Sequence, residues 1–260
     1  MKQLFIFTII NSFLIGSSLF LYWSSTLYDN LLYLYFLYLS KTYALSIMTK
    51  YSQINKKYIT PRKENYTISS ILNVFSSVFI ETVTHIIVPY FIEFTDRKII
   101  YDLILFIPMS FIFEIIYDFM HYVIHRLFHY NNFLYKYIHK KHHVKTNVTY
   151  LDTYYQNQID IILSTSIPFC LSLMILGNIS YFQFILLVVY KTAVEIAGHT
   201  GKKTYPTSSF PQFPWLVKYL GIELYTENHD LHHRYLNCNF SKRLSLWDKL
   251  FGTYHESKII

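Results

Sequence analysis

Residues 98–129 read KIIYDLILFIPMSFIFEIIYDFMHYVIHRLFH, a largely apolar run that ends in His125 and His129. A helix of this length, at about 1.5 Å per residue, outruns a hydrocarbon core of about 30 Å. The segment is therefore expected to cross a membrane as one helix, with its histidine-bearing end projecting beyond the apolar layer.

Other apolar runs flank it. Residues 3–23 are long enough to span a bilayer and read as a retained anchor rather than a cleaved signal, because Lys2 alone forms the positive region and no small-residue cleavage site follows. Residues 29–47 read as a second span or an interfacial helix. Residues 69–93 read as a further span, with Glu81 and His85 on one face as a hydrogen-bonded pair turned into the bundle. Residues 159–176 and 181–197, separated by Gly177-Asn178, read as a hairpin that crosses and returns. The chain is 52% hydrophobic, 20% aromatic and 15% charged, against about 25% charged in soluble domains. The expected fold class is all-α: a polytopic helical membrane protein with a cytosolic, histidine-rich di-metal cap.

The net charge of +7 does not point to nucleic acid, because the basic residues gather between the apolar runs. Lys50, Lys56, Lys57, Arg62 and Lys63 lie in the loop 49–66, with Pro61 as a helix breaker. Lys140, Lys141, Lys145, Lys202, Lys203, Arg234, Lys242 and Arg243 fall on the side that carries the histidines. By the positive-inside rule that side faces the cytoplasm. The two cysteines, Cys170 and Cys238, form no CxxC pair and no disulfide framework; Cys238 reads as a small packed thiol. Asn178-Ile-Ser180 has the spelling of a glycosylation sequon but sits in a tight turn beside the membrane, where modification is not expected.

Ten of the twelve histidines lie between 121 and 233. They form three clusters: His125 with His129; His139-Lys-Lys-His142-His143; and His229-Asp-Leu-His232-His233. Positions i, i+3 and i+4 share one helix face, so each cluster should aim two or three imidazoles at one point. An HxxHH arises by chance in about one window in ten thousand at this histidine content, so two in one chain are a strong signal. One metal takes about four such ligands, and eight histidines in these clusters imply a two-metal centre. His121 extends the first stripe by one turn and offers an alternative HxxxH. His199 closes a span in Glu195-Ile-Ala-Gly-His199-Thr-Gly201 and reads on its own as an interface histidine; His255 reads as solvated. Asp118, Glu195, Asp230 and Asp248 are candidates for the carboxylates that orient ligating imidazoles.

A centre made of neutral imidazoles leaves a divalent metal electrophilic and free to change oxidation state. Iron in such a site can activate O2 against an unactivated C–H bond, and an apolar bundle beneath it suits a lipid substrate. No catalytic residue beyond the metal centre is needed. The chain has no HExxH, GxGxxG, P-loop or GxSxG, which removes zincin proteolysis, nucleotide binding and esterase chemistry. The rival reading is a non-enzymatic membrane metal-binding or metal-transport protein. That reading would need ligands inside the spans, where Glu81 and His85 offer the one hint.

At these residues the chain resembles the fatty acid hydroxylase superfamily, which includes the sterol desaturases. The resemblance covers about residues 110–255. It rests on Asp118 with His125-Arg126 and His129, Leu134-Tyr135 leading to HKKHH, Glu195 before Gly198-His199-Thr-Gly201, HDLHH, Asn237-Cys-Asn-Phe240 and the WDKLFGT ending. The C-terminal spelling is nearest the cholesterol 25-hydroxylase-like branch. The chain is expected to divide into residues 1–68, an N-terminal membrane anchor region and basic loop, and residues 69–260, a hydroxylase-type membrane catalytic domain. The resemblance implies two iron ions (Fe2+) held by His125, His129, His139, His142, His143, His199, His229, His232 and His233. It also implies O2, a membrane lipid substrate, electrons from a cytochrome b5-type donor and its reductase, and the endoplasmic reticulum in a eukaryotic host. The chain departs from the sterol enzymes at 202–215, KKTYPTSSFPQFPW, which is longer than their aromatic-Pro-Trp segment. No cytochrome b5 domain is fused to it, so a separate carrier is expected. Which lipid is oxidised, and whether by hydroxylation or desaturation, stays open at this level.

Overall fold

The computed structural model describes residues 2–28, 30–60, 68–145, 148–204 and 209–256. Pro61, Arg62 and Lys63 of the basic loop, and residues 205–208 of the extended segment before Trp215, lie outside them.

Among the described residues, six helices are long and apolar enough to cross a membrane. They are α1 (Lys2–Ser25), α2 (Leu31–Ser52), α3 (Ile68–Ile87), α4 (Ile99–Tyr130), α5 (Gln158–Leu176) and α6 (Tyr181–Gly198). Three short helices follow, α7 (Pro214–Tyr219), α8 (Thr226–Tyr235) and α9 (Leu246–Leu250). No strand occurs among the described residues, where Tyr58 and Lys202 form an isolated bridge. The chain is a polytopic all-α membrane protein with a polar cap.

Local chemistry sets the helix ends. Asn30 caps α2 by accepting from the N–H groups of Leu32 and Tyr33. Ser180 and Gln183 form a reciprocal capping box at the start of α6. The α5–α6 hairpin turns through Gly177 (φ 55) and Asn178 (φ 47), both left-handed; Gly and Asn are the residues that tolerate this region. The hairpin therefore returns His199 to the end of the bundle where α4 finishes.

The core sits around α6. Every residue from Phe182 to Ile196 is buried, and α1, α2, α4 and α8 pack against it. A helix buried on all sides belongs inside other helices, and the polar groups it carries, Gln183, Lys191, Thr192 and Glu195, are buried with it. By contrast, α1, α3 and α4 expose large apolar side chains outward, among them Phe5, Phe20, Leu72, Ile100 and Ile104. Such surfaces are unfavourable in water and neutral against lipid tails. Residues of the N-terminal region, including Leu14, Leu21, Leu34 and Tyr38, join the same apolar core as α4, α5 and α6.

Charged groups inside the bundle are paired, as burial demands. Lys41 donates to Glu81 (2.9 Å) and to Thr192 (2.9 Å). Glu81 and His85 do not pair with each other, contrary to the sequence expectation. The ring of His85 instead bonds the hydroxyls of Tyr38 and Tyr181. Neighbouring helices offered each group a better-placed partner than the next turn of its own helix.

α4 has 32 residues, a length of about 48 Å, so about three turns extend past a 30 Å core. Those turns carry His121, His125 and His129. The cap is bolted to them. The carboxylate of Asp118 accepts the backbone N–H groups of Lys242 (2.7 Å), Arg243 (2.9 Å) and Leu244 (3.0 Å). Arg243 is buried, paired with Glu195 (3.1 Å) and Glu114 (3.4 Å) and stacked over Tyr117.

Candidate metal centre

Nine histidines converge in two groups. His125, His129, His139, His143 and His232 form one, and His142, His199, His229 and His233 form the other. Within each group the ring nitrogens that could bind a metal lie within 4.8 Å of one another. The groups adjoin: the rings of His143 and His233 are 4.7 Å apart between centroids.

Helix geometry explains the division. His125 and His129 are four apart on α4 and share a face, as do His229 and His233 on α8. His232 is rotated by about 100° from its neighbour His233 and crosses to the five-histidine group. His142 and His143 lie in a 3-10 turn, His142–Val144, where successive side chains diverge by about 120°. Each cluster thus aims two imidazoles at one point, and the third histidine of each HxxHH, His142 or His232, goes to the other group. His139 ends a π-turn, Tyr135–His139, an irregularity common at functional sites.

Outer partners set the ring orientations. The Nδ1–H groups of His125, His232 and His199 donate to the carbonyls of Phe240 (2.7 Å), Cys238 (2.7 Å) and Glu195 (2.9 Å). His139 pairs through Nδ1 with the Asp160 carboxylate (2.8 Å). In all four rings a lone pair is thereby left on Nε2. The Nε2 atoms of His125 and His232 are buried with no hydrogen-bond partner. The Nε2 of His199 faces that of His229 at 2.9 Å, and the Nε2 of His139 faces that of His143 at 2.9 Å. A cation between such lone pairs satisfies them together, and neutral imidazoles suit iron and its neighbours.

Electrostatics keep the cap imidazoles neutral. Burial, reinforced by neighbouring imidazoles, holds His142, His143, His229 and His233 well below the usual histidine range. Burial, with Lys242 nearby, lowers His199 to about 4. Burial lowers His232 to about 3 although the Cys238 carbonyl favours its proton. A neutral imidazole is the ligating form.

The four carboxylates singled out from the sequence lie further out than a ligand's immediate partner. Asp118 binds the backbone of 242–244. Asp248 accepts the N–H groups of Phe240 and Ser241, both at 2.8 Å, and so holds the carbonyl that orients His125. Glu195 pairs its carboxylate with Lys191, Lys242 and Arg243 and offers His199 its backbone oxygen. Asp230 pairs with Arg234 on its own helix. His121, the alternative first ligand, stands outside both groups and bonds the Ser164 carbonyl (2.8 Å). Cys238 is a buried free thiol, and His255 is exposed.

Two contributors escaped sequence reasoning. Asp160 begins an apolar span, and an ionisable residue there is the signal that could have exposed it. Asn239 adopts φ 55 and bridges to the Asn228 carbonyl (3.1 Å) and to the backbone of His255 (3.0 and 2.7 Å). That turn points the flanking carbonyls of Cys238 and Phe240 at His232 and His125.

Comparison with known proteins bears on this half of the chain. The family model described as fatty acid hydroxylase matches residues 110–253. A fatty acid hydroxylase of Lecanicillium sp is 32% identical over 149 residues, 55% of this chain and 40% of the relative. A C-4 methylsterol oxidase of Schizosaccharomyces pombe is 32% identical over 151 residues, 54% of this chain and 46% of the relative. A cholesterol 25-hydroxylase-like protein of Danio rerio is 28% identical over 144 residues, 54% of this chain and 53% of the relative. The matched segment spans about half the length of these relatives or less. No solved structure matches the chain.

Proposed function

The chain belongs to the fatty acid hydroxylase family, and on that premise we propose that it is a membrane-bound non-haem di-iron oxygenase. It hydroxylates or desaturates a C–H bond of a lipid such as a sterol or a fatty acyl chain, with O2 and external electrons. The observation that carries this reading is the convergence of buried imidazole lone pairs in two adjacent groups of five and four. Such a donor set fits two divalent metals better than one.

His125, His129, His139, His143 and His232 would hold one iron, and His142, His199, His229 and His233 the other. Iron bound there supplies the activation of O2 and the removal of hydrogen from the lipid. The residues of this chain bind and orient. Outer hydrogen bonds fix the tautomers of His125, His139, His199 and His232, while burial keeps protons off the cap imidazoles. Asp118 clamps the cap onto α4 and Asp248 braces the turn at Phe240 and Ser241 within the cap, which shields the site from bulk water. The apolar faces of α1, α3 and α4 support a site at a lipid surface; residues 69–260 would be the catalytic unit and 1–68 its anchor region.

The partners follow from this chemistry. Electrons come from a cytochrome b5-type carrier and its reductase. Lys136 and Lys140, exposed beside the second histidine cluster, suit an acidic carrier. The site faces the cytoplasm by the positive-inside rule, at the endoplasmic reticulum in a eukaryotic host.

The test is expression in a sterol-producing cell with a b5-type electron system, followed by mass spectrometry of the extracted lipids. The expected result is a species heavier by one oxygen atom, or lighter by two hydrogens, that is absent with His232→Ala. Identical lipid profiles from an iron-loaded wild type and the variant would overturn the reading.

A further inference from the structure

We propose that the two metal positions are inequivalent, and that Asp160 is the positioning residue that makes the five-histidine position the tighter one; this rests on the two-metal reading above. The inference comes from what stands behind each imidazole.

In the five-histidine group three rings have an outer acceptor: His125 on the Phe240 carbonyl, His232 on the Cys238 carbonyl and His139 on the Asp160 carboxylate. In the four-histidine group His199 has one, the neutral carbonyl of Glu195. The Nδ1 atoms of His142 and His233 are buried without a partner, as is that of one ring of the five-histidine group, His143. No carboxylate among the described residues is hydrogen-bonded to His142, His199, His229 or His233. The five-histidine position thus has one more imidazole, more rings locked in the ligating tautomer, and the one negative charge in direct contact.

Asp160 is built for that role. It is fully buried, and its other oxygen accepts from Ser164 (3.1 Å). No lysine or arginine among the described residues pairs with it; its partner is the His139 ring. A buried carboxylate without a cationic partner is costly. A metal on His139 Nε2 supplies the compensating charge through the ring. In return the carboxylate raises the basicity of that nitrogen and fixes the ring plane. Lys191, Lys242 and Arg243 surround Glu195 instead, so the charge of Glu195 is already compensated and does not reach His199 in the same way.

The experiment is an anaerobic competition titration of the full chain in lipid nanodiscs, with Fe2+ and a coloured chelator. The wild type is expected to bind two irons in two resolved steps. Asp160→Asn, which keeps the shape and loses the charge, is expected to weaken the tighter step by about 10- to 100-fold and leave the weaker step unchanged. Asp160→Glu should restore much of the loss. His199→Ala should delete the weaker step and spare the tighter one. Unchanged helix content and melting of each variant separate these effects from misfolding. Equal weakening of both steps, no effect on the tighter step, or loss of the tighter step in His199→Ala would overturn the assignment. A wild type that binds fewer than two irons would overturn the two-metal reading itself, and this inference with it.

Discussion

His142 and His143 are consecutive in the chain, yet their imidazoles belong to different groups, with ring planes at 78° and centroids 5.3 Å apart. One 3-10 turn thereby ties the two metal positions together. His142→Ala and His143→Ala are each expected to abolish lipid oxidation. Each should also empty a different position, the four-histidine one and the five-histidine one respectively. Mössbauer spectra of the two variants loaded with iron-57 should differ from each other. Identical spectra would mean that the two histidines serve one metal.

Asp118 is fully buried and binds three consecutive backbone N–H groups of the cap. Asp118→Asn exchanges a charged acceptor for a neutral amide with a single acceptor oxygen. A loss of about 2–3 kcal/mol is expected, the size of one charged hydrogen bond. The readout is the thermal transition in nanodiscs, with loosening of the 238–244 segment followed by hydrogen exchange. A variant as stable as the wild type would remove Asp118 from this role.

Arg243 is buried between Glu114 and Glu195. Arg243→Met leaves Glu114 without its partner, while Lys191 and Lys242 still serve Glu195. Breaking one member of a buried pair costs about 3–5 kcal/mol. Adding Glu114→Gln is expected to recover part of that loss, and the double-mutant cycle measures the coupling. Additive effects would show that the pair is not coupled.

The metal-free protein should lose stability as the pH falls. Unfolded histidines take up protons near 6.5, whereas His199 resists until about 4 and His232 until about 3. Between those values the unfolded state binds more protons, so stability rises with pH there and declines on acidification. It is fully present above about pH 6.5, with each histidine contributing about 1.4 kcal/mol per pH unit below it. Melting of the metal-free protein at a series of pH values from 7.5 to 5 checks this, and a flat series would contradict it.

Much of this was legible in the sequence because it depends on periodicity and spacing. The apolar runs, the Gly177-Asn178 hairpin and the over-long α4 follow from length and composition. The histidine clusters declare themselves by number. What could not be read was the distribution of ligands: the division of His142 from His143 depends on a local 3-10 turn, and HxxHH spelling does not reveal it. Outer partners were harder still. Three of the four acceptors on the tautomer-fixed rings are backbone carbonyls, from Phe240, Cys238 and Glu195, which any residue could supply. They are aimed by tertiary contacts, such as those of Asn239 and Asp248. The exception, Asp160, was hidden in an apolar run read only for its ability to span a membrane. Glu81 and His85 show the same limit, since their partners come from α2 and α6.

The most direct test of the central claim is the iron content of the purified, anaerobically reconstituted full chain beside His125→Ala and His229→Ala, one variant from each group. The expected result is two irons per chain in the wild type and one in each variant, with helix content unchanged. A single iron in the wild type, or full iron retention in either variant, would contradict a two-metal centre built from these nine histidines.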